Sequence, residues 1–208
     1  RALDFFAAKG ATMVCICGDI SEKGTEAEFQ AYANVVAQAK LPVYTTTGNH
    51  DCTKKRFRED LWDKYVQMPM VFEKSVEVNG KTDHFLFLGM KRWNFKDAYD
   101  QEHIEWLEKK LQEYEGERCY IITHLFFPER AGNMNKIYPP KNWLRGEQLE
   151  RLENLLKKYH NSIWFSGHSH WEWQLQKYQD MANVQRDYNG RKPASGWAVH
   201  VPGCGCPI

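Results

Sequence analysis

Four short stretches of the sequence bring together side chains that can do chemistry: Gly18-Asp19, Gly48-Asn49-His50-Asp51, His124, and Gly167-His168-Ser169-His170. They offer a carboxylate, an amide oxygen and several imidazoles. That donor set suits first-row metals such as Mn, Fe and Zn better than thiolate-seeking ions. A carboxylate such as Asp19 can bridge two cations, whose combined charge keeps it ionised. The glycines directly before Asp19, Asn49 and His168 permit the tight turns that such ligands need.

Each stretch follows a run that reads as a buried strand. Residues 12–17 precede Gly18, 42–46 precede Gly48, 118–123 precede His124, and 163–166 precede Gly167. In open α/β sheets ligands bind beyond the carboxyl ends of the strands, so the four loops are expected to converge. The rest of the pattern supplies helices between strands. Residues 1–9 read as a helix stopped by Gly10. Thr25 and Glu28 form a capping-box pattern ahead of Phe29, Tyr32, Ala33, Val36 and Ala37 at helical spacing. The charged region 53–67 reads as a surface helix. Strands 71–78 and 82–88 flank Asn79-Gly80, a hairpin signal. Helices follow at 100–114 and 145–159, with a long loop over 132–143, an alternating strand at 171–178 and a last strand at 197–201. Strand and helix patterns in alternation argue for an α/β fold around a parallel or mixed sheet.

The ordered set GD, GNHD, H and GHSH resembles that of the calcineurin-like metallophosphoesterases, over residues 18–170. From Gly18 to Asp51 it looks most like the bacterial cyclic-nucleotide phosphodiesterase (class III) branch. The resemblance implies a four-layer αββα sandwich, two facing mixed β-sheets flanked by helices. It implies two divalent metal ions, Mn, Fe or Zn, with Asp19 bridging them. Asn49, His124 and His168 would complete one metal site and His170 would belong to the other. His50 would bind the phosphate or protonate the leaving oxygen, with Asp51 orienting its imidazole; the plainer role for Asp51 is to cap the following helix. The expected activity is phosphoester hydrolysis by metal-activated water, as a phosphodiesterase or a phosphatase. The alternatives are a non-catalytic scaffold with a degenerate one-metal site, and a nuclease of the same family. The family's upstream D-x-H motif is absent from these residues. The expectation is therefore a single metallophosphoesterase domain over 1–208 that lacks its N-terminal first strand and that motif.

Bulk properties narrow the partners. The 208 residues balance 28 basic against 27 acidic side chains, for a net charge of +1. That near-neutral balance disfavours nucleic acid and fits a small phosphoester, a nucleotide among the candidates. No apolar run approaches the ~20 residues of a membrane span. Of the six cysteines, Cys15, Cys17 and Cys119 sit in strand-like apolar runs and read as buried reduced thiols, which leans towards the cytoplasm. Cys204-Gly-Cys206 is a weak metal or disulfide signal. His84, His103, His160 and His200 read as structural. Trp171 and Trp173 read as one face of a strand, and the loop over 126–143, with Arg130 and Lys136, as a lid candidate. Lys54-Lys55-Arg56 reads as a solvated helix start. The oligomeric state has no signal in the sequence.

Overall fold

The computed structural model describes residues 2–52, 57–125, 127, 144–170 and 197–201. It is an α/β fold with two sheets flanked by helices, as expected. Strands β1 (Val14–Ile16) and β2 (Val43–Thr45) pair in parallel, Val14 against Val43 and Ile16 against Thr45. The larger sheet runs β3-β4-β5-β6-β7, from β3 (Val71–Val78), β4 (Lys81–Leu88), β5 (Arg118–Thr123), β6 (Ser162–Ser166) and β7 (Trp197–His200). Only β3–β4 is antiparallel; β4 to β7 run parallel, so this sheet is mixed.

Alternation along β4 shows how the layers are built. Leu86 and Leu88 join Ile121 and Trp164 in the main core, with Leu107 and Leu111 of α4 (Gln101–Glu113) and Leu152, Leu155 and Leu156 of α5 (Glu147–Lys158). Phe85 and Phe87 point the other way, where Phe87 and Ile122 meet Cys17, Cys15 and Tyr44 from the smaller sheet. A period of two therefore buries one face of β4 under helices and the other between sheets. Fully burying each of these large apolar side chains contributes about 1.5–3 kcal/mol. A third cluster joins Phe29 of α2 (Glu26–Val36) to Leu61 and Trp62 of α3 (Glu59–Tyr65), the two rings meeting edge-on at 6.2 Å. The short α1 (Ala2–Ala8) buries no side chain.

Local signals mostly hold. Asn79 and Gly80 both take positive φ, 53° and 74°, closing the β3–β4 hairpin as a primed two-residue turn. Glu28 accepts hydrogen bonds from the backbone N and Oγ1 of Thr25, at 2.9 and 2.6 Å. Asp100 precedes α4, and Gly116 follows it at φ 89°. The expected strand over 12–17 shrinks to three residues, and the helix expected over 53–67 starts at Glu59. Cys15, Cys17 and Cys119 are free thiols as expected, although Cys15 is only half-buried, and Cys52 is a further buried free thiol. The expectations on 132–143, 171–178, Trp171, Trp173, Arg130, Lys136, Lys54-Lys55-Arg56 and Cys204-Gly-Cys206 fall outside the described residues. No helix among the described residues is long and apolar enough to cross a membrane.

Candidate metal centre

The parallel strands place the chemistry. β1 leads into Asp19, β2 into Asn49 and His50, β5 into His124, and β6 into His168 and His170. Asp19, His50, His124, His168 and His170 line one cavity of about 720 Å³. Within it, ligand atoms of Asp19, His124 and His168 all lie within 4.8 Å of one another. The loops meet so tightly that backbone itself is in contact. A Cβ at Gly18 (φ +83°) would sit 2.6 Å from the Gly48 nitrogen, so only glycine fits there. Of the five non-glycine residues with positive φ among the described residues, three are Asp19, His168 and His170. Such conformations cost about 1–3 kcal/mol each and persist where surrounding structure imposes them.

The surroundings of His124 show what this centre is suited to hold. Its Nδ1 lies 2.7 Å from the Cys17 carbonyl, which only accepts, so Nδ1 bears the proton. Nε2 of the neutral ring is then a lone pair, yet it faces Asn49 Oδ1 at 2.9 Å and Asp19 Oδ2 at 3.2 Å. Acceptor faces acceptors. Asp19 Oδ2 is buried without a hydrogen bond and lies 3.2 Å from His124 Nε2. Positive charge resolves this arrangement, as a second proton on His124 or as a cation among the three groups. Without a cation, burial opposes charge on His124, but the Asp19 carboxylate beside it prevails and raises its pKa. Burial likewise raises the Asp19 carboxyl, but His124 outweighs it and draws it to about 2. One carboxylate, two imidazoles and an amide oxygen fit a first-row divalent cation. Where two cations were expected, the described residues form one cluster, and His170 is not a member of it.

Asp51 takes a role other than the one expected. Its Oδ2 accepts from the backbone N of Asp19 (2.9 Å) and of Gly48 (2.8 Å). Its Oδ1 accepts from the backbone N and the hydroxyl of Ser21, at 2.9 and 2.8 Å. Among the described residues these bonds use both oxygens, and the His50 ring is held elsewhere. Asp51 clamps the loop after β1 to the loop after β2. Asp19 returns the link by accepting the His50 backbone N at 2.9 Å. Burial, then the nearby Asp19 charge, push the Asp51 carboxyl up to about 6 against the pull of Gly48 and Ser21.

The His50 ring is held by a residue the sequence did not single out. Its Nδ1 lies 2.8 Å from the Glu22 carbonyl, which fixes the proton on Nδ1 and leaves Nε2 for other work. Trp93 packs on the ring at 4.8 Å between centroids, and Phe95 packs on His168 at 5.1 Å. Backbone acceptors such as those of Cys17 and Glu22 leave no trace in residue type. Trp93 and Phe95 sit in a stretch without periodicity.

The calcineurin-like phosphoesterase family profile matches residues 1–172. The chain is also 27% identical over 164 residues to a protein of Arcobacter nitrofigilis named "Probable glycerophosphodiester phosphodiesterase GpdQ". The match covers 76% of this chain and 56% of that relative, so the chain spans about half of its length. A profile match over most of the sequence, reaching every loop of the centre, shows that the chain belongs to the calcineurin-like phosphoesterase family.

Proposed function

We propose that this chain is a metal-dependent hydrolase of small phosphate esters, with a diester as substrate. The observation that supports this best is the buried Asp19 Oδ2 facing His124 Nε2 beside His168, an arrangement that a cation would satisfy. A divalent cation bound there supplies an acidified water and neutralises phosphate charge. The chain's own residues do the rest. The Glu22 carbonyl holds the Nδ1 proton of His50, which leaves Nε2 as the atom that, in the imidazolium form of the ring, donates to the leaving oxygen. Asp51 keeps Asp19, Asn49 and His50 in fixed relation while charge moves between substrate and water.

The finer proposal adds a second cation, bridged by Asp19 and bound by His170, with Mn, Fe or Zn as the ions. Two things bear on the diester preference. The relative's name specifies a glycerophosphodiester, and residues 18–51 resemble the cyclic-nucleotide branch. A second reading is a non-catalytic scaffold with one cation, favoured by the single three-residue cluster among the described residues. Loading the protein with Mn and measuring stoichiometry and turnover together separates the two. Two equivalents with turnover of bis-p-nitrophenyl phosphate are expected; one equivalent without turnover supports the scaffold. Faster hydrolysis of p-nitrophenyl phosphate than of the diester overturns the diester assignment.

A further inference from the structure

We infer that Trp93 is a positioning residue for His50, mounted on a loop that braces two histidines of the centre; this rests on the hydrolase reading above. His50 is fixed at one ring atom by Glu22, but a single hydrogen bond leaves the ring free to rotate about it. Trp93 supplies the second constraint. Its ring meets the imidazole at 4.8 Å between centroids with 52° between planes, and it also packs against the main core. The same loop presents Phe95 to His168.

A positioning residue must itself be held, and this loop is. The backbone N of Lys91 reaches the Ala98 carbonyl at 3.0 Å, closing residues 91–98, and Asp97 N donates to the Asn94 carbonyl at 2.9 Å. Gln148 of α5 is buried and uses both ends of its amide on the loop, its Nε2 also donating to the Arg145 carbonyl at 3.3 Å. Its Oε1 accepts from Ala98 N and Tyr99 N at 3.0 and 3.1 Å, and its Nε2 donates to the Phe95 carbonyl at 2.8 Å. Thr47, just before the Gly48 turn, donates to the Met90 carbonyl at 2.6 Å. Arg92 ties the loop to Asp100 at 2.6 Å. The wall that carries Trp93 is thus joined to the β2 loop that carries His50. Reacting groups lose rate steeply when displaced by about 1 Å, which is why such bracing matters.

The test uses the Mn-loaded full chain with bis-p-nitrophenyl phosphate, in the wild-type and His50→Ala backgrounds. Trp93→Ala is expected to lower kcat about tenfold with unchanged metal content, and Trp93→Phe to stay within about threefold. In the His50→Ala background Trp93→Ala should cause no further loss, because the interaction it serves is already gone. An unchanged kcat for Trp93→Ala overturns the inference, as does an equal tenfold drop without His50. If Trp93→Ala fails to fold, the comparison passes to Trp93→Phe against Trp93→Leu, and equal kcat in those two overturns it. A wild type that hydrolyses nothing overturns the hydrolase reading and takes this inference with it.

Discussion

Two buried histidines in this protein are surrounded in opposite ways. His84, on β4, has Nδ1 3.0 Å from the hydroxyl of its cross-strand partner Ser75 and Nε2 2.9 Å from Glu117. Its ring lies flat on Tyr114, 3.6 Å between centroids. A hydroxyl can donate or accept and a carboxylate accepts an N–H, so every atom is matched without an added group. His124 is as buried and also has a carboxylate neighbour, yet its Nε2 lone pair is aimed at two more acceptors. Burial and an acidic partner therefore do not distinguish a site from a core. Mismatched hydrogen-bonding capacity does, because an unmet polar group in low dielectric is costly until a ligand meets it.

The comparison breaks most visibly if ligands are removed. Asp19→Asn and His124→Ala should each lower Mn affinity by more than about 100-fold, since even groups that merely orient ligands are worth 10–100-fold. Isothermal titration reads this directly, and full metal content in either variant would remove the centre proposed here. The His50→Ala protein should keep its metal and lose about 100-fold or more in kcat. Retained turnover would take His50 out of catalysis.

Asp51 sharpens the contrast at smaller magnitude. Asn at 51 replaces one accepting oxygen by an amide that must face backbone N–H groups, so the clamp between the two loops loosens. We expect about 10–100-fold weaker Mn binding, the cost typical of a group that positions a ligand. Were Asp51 to act only on the His50 ring, metal affinity would stay unchanged and kcat alone would drop. His84→Phe, in turn, should leave metal affinity untouched. It should cost about 1–3 kcal/mol of stability through the lost Ser75 and Glu117 bonds, read as a lower melting temperature.

The sequence made the positions of the ligands legible for a physical reason. Strand periodicity located β5 and β6, glycines flagged the turns before Asp19, Asn49 and His168, and side-chain chemistry named the donors. The fold class followed from alternating elements, and the hairpin from Asn79-Gly80. What stayed illegible was pairing across loops. Asp51 was assigned to its chain neighbour His50, whereas the tight approach of Gly18 to Gly48 puts Asp19 and Ser21 nearer its oxygens. The Glu22 and Cys17 carbonyls belong to the backbone, which every residue has, so no residue type announces them. Trp93 is recognisable only once the loop over 91–98 is seen to close on itself.

The smallest effect is the one that tests the mismatch itself, because it needs no substitution. In the metal-free protein the Asp19 carboxylate favours the protonated form of His124 and raises its pKa from its ordinary 6.5. A raised cationic pKa contributes stability that is fully present below about 6.5 and fades as pH climbs through the folded value. Asp19, drawn from 3.8 to about 2, contributes the complementary part, present above about 4 and lost as pH falls towards 2. The metal-free form should therefore lose stability as pH rises beyond 6.5, measured by urea unfolding across the range. Mn binding must run the other way, since a cation displaces the second proton and is favoured as pH rises. His124→Ala should abolish both slopes, whereas His84→Phe should leave them in place; matching slopes in the two variants would show that His124 is satisfied as His84 is, and the contrast between them would vanish.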